Sequence, residues 1–461
     1  MDASRKILSD IITYSKYARY LESEERRETW AEAVNRTRDM HIKKYPTLKN
    51  EIMESFKYVH DKSVLGSMRS LNFGGKAIEK NPSRGYNCAV VAMDDIAAFS
   101  ELMFLLLGGS GVGISVQKHH VRQLPKISGP KKRKRRHLVG DNIEGWAYAI
   151  DSLVKAYFEN RSTPDFDYSD IRSKGSPVKT SGGKAPGPDP LKYCIYNITR
   201  VLEGAKENRG VGCRIKPIEV HDICCHISDA VLSGGIRRSS IISLFSIDDE
   251  DMLSSKYGSN LEMNQHRERA NNSVVIDTKK IRESRFRELM DRIKNSPTGE
   301  PGIFVTNDVE MLTNPCGEIS LESCSFCNLA SINAIDITTQ EELNKRAKIA
   351  SFIGTIQAGY TNFHFLRDKW RENTEKSALL GISISAAANE NLRKLDLKQA
   401  ARAAVEENKR VAELININPA KRITCEKPDG TASLILGTSS GIHTWHANYY
   451  IRRMRIYKQE P

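Results

Sequence analysis

From about Asn81 onward, short apolar runs of strand length alternate with segments of helical period, and this alternation restricts the chain to folds made of β/α units. "YNCAVVAM", "SSIISLFS", "NSVVID", "GIFVT", "CNLASINAI" and "ALLGISI" read as strands. "DDIAAFSELMFLLL", with Ile96, Phe99, Met103 and Leu106 on one face, reads as a helix, as do "GWAYAIDSLVKAYF" and "IEVHDICCHISDAVL". Further helix-length segments cover 347–370 and 397–415. Strands separated by helices predict parallel pairing, in a barrel or an open doubly wound sheet. The first seventy or so residues read as helical, with Ser23 as an N-cap ahead of Glu24 and Glu25, and Trp30, Val34 and Met40 on an apolar face.

A length of 461 residues admits one large α/β domain with an appendage, or two or three smaller domains. No apolar run approaches the roughly eighteen residues of a membrane span, and "MDASRKILSD" lacks the apolar core of a secretory signal. Nine cysteines, an odd number, then predict thiols in a reducing compartment: the cytoplasm, or the host's cytoplasm for a viral chain. A net charge of +13 favours a polyanionic partner, whether nucleic acid, free nucleotide or an acidic protein surface. "KKRKRR", Lys131 to Arg136, follows "SGP" and reads as a loop; a solvated insertion, a nucleic-acid contact and a localisation signal are the alternatives.

Three glycine-rich stretches could bring backbone close to a nucleotide. "GGSGVGIS" (108–115) follows a helix where a dinucleotide fingerprint would follow a strand. "SGGIRRSS" (233–240) could form a loop that reads a base or phosphate, or a plain turn with solvated arginines. "KPDGTASLILGTSSGI" (427–442) is suited to presenting amides and hydroxyls to an anion. No metal site is expected: in "HDICCH", His221 and Cys225 face one way on a helix while Cys224 and His226 point elsewhere, and Cys324-Ser-Phe-Cys327 has no second CxxC to complete a zinc centre. Cys327 stays open to redox work.

The densest chemistry lies in "NPCGEISLESCSFCNLASINAID", residues 314–336. "NPCGEI", followed eleven residues after its cysteine by "CNL", resembles the active-site loop of ribonucleotide reductases. "YNCAVVAMDD", "LLLGGSGVGISVQKHH", "DIRSKGSPVKTSGGKAPGP", "SGGIRRSS", "KPDGTASL" and "LGTSSGIHTWHANYYIRR" are similar to that family in family order, closest to its adenosylcobalamin-dependent branch. The resemblance implies a ten-stranded α/β barrel of two antiparallel halves with a central finger loop, over 76–461, preceded by a helical region over 1–75.

It further implies that Cys316 carries a thiyl radical inside a closed barrel, that Glu318 is a general base, that Asn314 holds the geometry, and that Cys88 and Cys327 are the reducing thiols. Cys324 matches no family role and reads as structural. Asn87 and the run Pro428, Asp429, Gly430, Thr431, Ala432 and Ser433 would bind substrate. Asp94, Asp95, Arg172, Lys174, Gly234, Gly235, Arg237 and Arg238 would form the specificity site for a dNTP or ATP effector. Adenosylcobalamin is the implied cofactor; the alternative is no cofactor in this chain and a radical from a separate ferritin-like metal subunit through Tyr449 and Tyr450, for which a structural role is preferred. A thioredoxin- or glutaredoxin-type reductant and a homodimer are implied partners, with neither membrane nor direct nucleic-acid binding. The N-terminal region is short for the family's ATP cone, which predicts specificity control without overall dATP inhibition. Relatives continue past "YYIRRMRIYKQEP" with further barrel elements and a tail of paired cysteines. Rival readings are a basic nucleic-acid-binding module around 131–136 and a thiol oxidoreductase using Cys324 and Cys327.

Overall fold

The computed structural model describes residues 3–177, 184–232 and 240–454. Besides a short hairpin of β1 (Tyr20–Leu21) and β2 (Arg26–Arg27), its strands gather mainly into two sheets. The first holds five parallel strands in the order β10 (Gly302–Thr306), β9 (Ala270–Asp277), β8 (Ile241–Ser246), β5 (Gly111–Ser115), β4 (Cys88–Ala92), closed by the antiparallel β13 (Ser325–Cys327). β4 and β5 are buried at every residue, as parallel strands covered on both faces must be. The crossover helix Ala97–Gly108 is apolar nearly all round and correspondingly buried.

The second sheet has the order β15 (Gly381–Ser385), β14 (Leu329–Asn333), β3 (Val64–Leu65), with β14 parallel to β15 and antiparallel to β3. Only Asn328 separates β13 from β14, so one stretch of chain is edge strand of the first sheet and centre of the second. Since β13 runs against β4 while β14 runs with β15, the parallel strands of the two sheets have opposite senses. The fold is α/β with mixed sheets. The core of the second sheet combines Ile332, Ile353 and Ile382 with Ile12, Val34, Ile52 and Phe56 from the N-terminal helices.

Three local expectations are corrected. Ser23 caps nothing: the helix Trp30–Lys44 starts at Thr29, whose Oγ1 accepts from the Glu32 amide while Glu32 Oε2 accepts from the Thr29 amide at 2.7 Å. The helix expected over 347–370 is instead Gln340–Ala358, followed after a break by Asp368–Ser377. The basic run is not a loop. It forms β6 (Lys131–Leu138), paired in parallel with β7 (Ser162–Asp167), with Arg136 bridged to Asp167. β6 is the exposed strand of this ribbon, while β7 is half-buried with Phe166 against the core, so charge is tolerated along β6 and no alternation marks it as strand. None of the described helices is long and apolar enough to cross a membrane.

Candidate active site

A hairpin of β11 (Leu312–Thr313) and β12 (Ser320–Leu321) carries the 314–319 loop. The Gly317 amide donates to Asn314 O at 2.9 Å, making a turn with Pro315 and Cys316 at its centre; Gly317 closes it at φ +79°. Proline presets the second position of such a turn, and glycine takes the left-handed conformation without a Cβ clash. Asn314 is fully buried and its Oδ1 accepts from the Ile319 amide at 3.2 Å, tying the loop's two ends.

The hairpin lies on the first sheet where β5 has no side chains. A Cβ at Gly113 would stand 1.9 Å from the Thr313 carbonyl oxygen, and one at Gly111 would stand 3.2 Å from Pro315 Cγ and 3.6 Å from Cys88 Sγ. These glycines of "GGSGVGIS" thus serve the passage of the chain that carries Cys316, a role their spacing did not reveal.

Cys88 and Cys327 are direct cross-strand partners between β4 and β13, and the Cys88 amide donates to Cys327 Sγ at 3.1 Å. Directly opposed antiparallel residues have Cβ atoms about 4.5–5.5 Å apart, slightly wider than the roughly 3.5–4.5 Å of a disulfide. Both are buried free thiols. A hydrogen bond with Cys316 acts to lower the Cys88 pKa, but its bond with Cys327 and its burial outweigh it and hold that thiol well above its ordinary value. Cys316 is likewise raised well above the ordinary thiol range, first by its hydrogen bond with Cys88 and then by loss of solvent, with Lys427 opposing. Cys88 and Cys316 therefore meet as neutral S–H groups.

The described residues do not form the closed cage expected around Cys316. The residue is exposed, because it sits at the tip of a turn between two-residue strands, and no atom lies within 4 Å of a Cβ placed on its neighbour Gly317. Its thiol still reaches inward to Cys88.

Burial raises the carboxyl pKa of Glu318, while Asn314 and Lys427 pull the other way. Glu318 Oε2 and Asn314 Nδ2 are both buried and without a hydrogen-bond partner. An acceptor and a donor left unsatisfied on one loop are costly unless a ligand completes them. Glu318 and Cys327 line the same cavity of about 110 Å³, together with Asn328, Gly381, Arg422 and Cys425.

In the 428–433 run, Asp429 is 3 % exposed, and its carboxylate accepts from the hydroxyls of Ser331 (3.0 Å), Ser383 (3.4 Å) and Ser385 and pairs with Lys427 Nζ at 2.8 Å. A carboxylate so engaged organises the loop that carries the 428–433 run. Gly430 is exposed, Pro428 and Thr431 half-buried, Ala432 and Ser433 buried in the short helix Ala432–Leu436. Asn87 adjoins β4, its Oδ1 accepting from Ser67 at 2.8 Å.

Of the residues assigned to effector binding, Asp95 pairs with Arg367 (3.0 Å) and Arg172 with Asp141 (2.5 Å), while Lys174 is exposed. Gly234, Gly235, Arg237 and Arg238 lie outside the described residues. Cys324 takes φ +60° in the core of one face of the first sheet, whereas Cys327 belongs to the cluster on the other, so the CxxC does not act as a pair. In "HDICCH", His221 meets Cys225 at 3.6 Å and Ser243 at 3.1 Å, while His226 stacks on His266: a packed core helix. Tyr449 is 95 % exposed, while the Tyr450 ring meets His446 edge to face with centroids 6.3 Å apart. Sequence reasoning missed Lys427, whose charge reaches both Cys316 and Glu318, and Cys425, whose thiol burial pushes up to about 12. Lys427 opens the "KPDGTASL" stretch, whose glycine and hydroxyls drew attention away from its charge, while Cys425 stands in no spacing that signals a site.

No family model matches the chain. The adenosylcobalamin-dependent ribonucleoside-triphosphate reductases of Lactobacillus acidophilus and Lactobacillus gasseri are each 26 % identical to it, over 98 % of this chain and 75 % of theirs. The enzyme of the same name from Lactobacillus leichmannii is 25 % identical over the same shares. Among solved structures, a B-12 dependent (class II) ribonucleotide reductase superposes with a TM-score of 0.80 at 23 % identity, over 94 % of this chain and 74 % of its own. The class Id ribonucleotide reductase alpha subunit of Actinobacillus ureae gives 0.55 at 14 % identity, over 96 % and 76 %.

Proposed function

We infer that this chain is a ribonucleotide reductase catalytic chain of the adenosylcobalamin-dependent branch, an oxidoreductase that converts ribonucleotides to 2′-deoxyribonucleotides. What carries the reading is the meeting of Cys316 with the cross-strand pair Cys88 and Cys327, beside the unsatisfied Glu318 Oε2 and Asn314 Nδ2. The relatives' names point to triphosphate substrates. The two sheets of opposite sense, joined through Asn328, are read as halves of the family's ten-stranded barrel, over 76–461.

A neutral thiol suits Cys316, since a hydrogen atom passes between its sulfur and C3′ of the ribose. As a thiyl radical it takes that hydrogen, while Glu318 accepts the proton of the 3′-hydroxyl, a transfer its raised pKa favours. Asn314 Nδ2 donates to a substrate oxygen. The 2′-hydroxyl leaves as water with a proton from the Cys88–Cys327 pair, whose two thiols deliver two electrons and end as a disulfide. The pair's other hydrogen goes to C2′, Cys316 returns its hydrogen to C3′, and Glu318 returns its proton to the 3′-oxygen. A thioredoxin- or glutaredoxin-type dithiol restores the pair, and a dNTP or ATP effector selects the substrate.

The open side of Cys316, with bare space at Gly317, fits a bulky radical source. Adenosylcobalamin, when bound there, supplies the means of removing a hydrogen atom from that thiol. The test is turnover of the purified chain on each of the four ribonucleotides, with adenosylcobalamin and a dithiol. Deoxynucleotide should form, and Cys316→Ala should abolish it while nucleotide binding survives. Product that appears only on adding a ferritin-like metal subunit would overturn the cofactor reading. Salt-sensitive nucleic-acid binding, indifferent to Cys88, Cys316 and Cys327 and without any turnover, would overturn the whole.

A further inference from the structure

The short helix Lys118–Val121, just after β5, places His119 and His120 side by side with ring centroids 4.0 Å apart. Glu310, two residues before β11, reaches across to them. Its Oε1 lies 3.0 Å from His119 Nε2 and its Oε2 lies 3.1 Å from His120 Nε2. The three ligand atoms, one from each side chain, fall within 4.8 Å of one another.

Around a tetrahedral ion with zinc-like bonds of about 2.0–2.2 Å, neighbouring ligand atoms stand roughly 3.3–3.6 Å apart, so the two nitrogen–oxygen separations, one to each carboxylate oxygen, lie within a few tenths of an ångström of such an edge and a small outward shift of the side chains admits the ion. His119 Nε2 is buried and makes no hydrogen bond despite its nearness to the carboxylate, so a plain histidine–glutamate hydrogen bond does not account for its position. His120 Nδ1 is held by Ser115 Oγ at 2.8 Å, which leaves Nε2 facing Glu310, an outer contact of the kind that orients metal-bound imidazoles. Gln117 Nε2 donates to that same Ser115 oxygen at 3.2 Å and to Val309 O at 2.9 Å, so the support also grips the residue before Glu310.

We propose that His119, His120 and Glu310 form a binding site for a divalent metal of the zinc class, with two imidazole nitrogens, one carboxylate and water in the open position. The two histidines stand on the short helix that follows β5, and the glutamate stands at the foot of the hairpin that bears Cys316. The ion therefore fastens the root of that hairpin to the sheet beneath it. This assignment stands on its own geometry and does not depend on what Cys316 does.

The experiment titrates the metal-free full chain with Zn2+ by calorimetry and with Co2+ by visible absorption. Glu310→Gln and His119→Asn serve as variants; both side chains are substantially exposed, and circular dichroism checks that the fold is kept. One equivalent of Zn2+ should bind, Co2+ should show the ligand-field bands of an imidazole and oxygen site, and each variant should bind at least tenfold more weakly. No uptake by the parent chain, uptake equal in all three proteins, or a cobalt–thiolate charge-transfer band in place of the imidazole signature would each overturn the assignment.

Discussion

Replacing Gly113 by alanine puts a methyl carbon 1.9 Å from the carbonyl oxygen of Thr313, well inside van der Waals contact. The obstructing atom is backbone, and it belongs to the strand that leads into Asn314 and Cys316, so relief requires the hairpin to rise off the sheet by more than about 1 Å, given carbon–heavy-atom contacts near 3.5 Å. Overpacking of this kind costs about 1–3 kcal/mol of stability. The larger effect falls on the site, where a displacement of about 1 Å can lower turnover by about 100-fold. Cys88 sits on β4 and stays in place while Cys316 moves, so their hydrogen bond is lost. Turnover with adenosylcobalamin and dithiol, beside thermal unfolding, measures both effects. Gly111→Ala is the control, since its methyl meets the Pro315 side chain at 3.2 Å, a contact that a small adjustment relieves. A Gly113→Ala protein with the melting temperature and turnover of the parent would refute the claim that this glycine exists to let the hairpin pass.

Glu318→Gln should lower kcat by about 100- to 10,000-fold, the usual worth of a positioned base, with little change in KM. The parent's turnover should fall on acidification through a pKa above the ordinary carboxylate value, and the variant's pH profile should lack that limb. The same shift has a stability consequence: the folded state holds this proton more tightly than the unfolded chain, so ionisation disfavours folding as pH rises through that window, and Glu318→Gln should melt higher than the parent at neutral pH but not below the unfolded carboxyl pKa. Cys88→Ser and Cys327→Ser should each prevent the active-site disulfide, read as loss of deoxynucleotide in a single turnover without added reductant. Asp429→Asn leaves the nearly buried Lys427 ammonium without its counter-charge and should destabilise the chain by about 3–5 kcal/mol in urea unfolding.

The buried strands were legible because burial on both faces writes itself as unbroken apolar runs, as in Cys88–Ala92 and Ile241–Ser246. The ribbon of Lys131–Leu138 was not, since pairing without burial leaves no hydrophobic pattern. The N-terminus of the helix Trp30–Lys44 was misplaced for a different reason: weight fell on the acidic pair directly after Ser23, whereas Thr29, with Glu32 third after it, carries the spacing of a capping box. At the site, spacing alone set Cys316 beside Cys327 but could not bring in Cys88, which arrives through strand pairing 239 residues away. Resemblance to a family supplied that grouping where local chemistry could not. The contact of Glu310 with His120 spans 190 residues and lay equally beyond any local motif. The openness of Cys316 followed from the brevity of its hairpin, a property of register and not of composition.

Between β13 and β14 the chain passes through Asn328 alone, whose side-chain amide donates to Gly354 O at 2.8 Å and whose backbone oxygen accepts from Gly381 N at 2.8 Å, both beside the second sheet. The sulfur of Cys327 is therefore one residue from the point where the chain leaves the first sheet for the second. A bond from it to Cys88 would act as a rivet at that crossing, tying the oxidation state of the pair to the stiffness of the sheet edge.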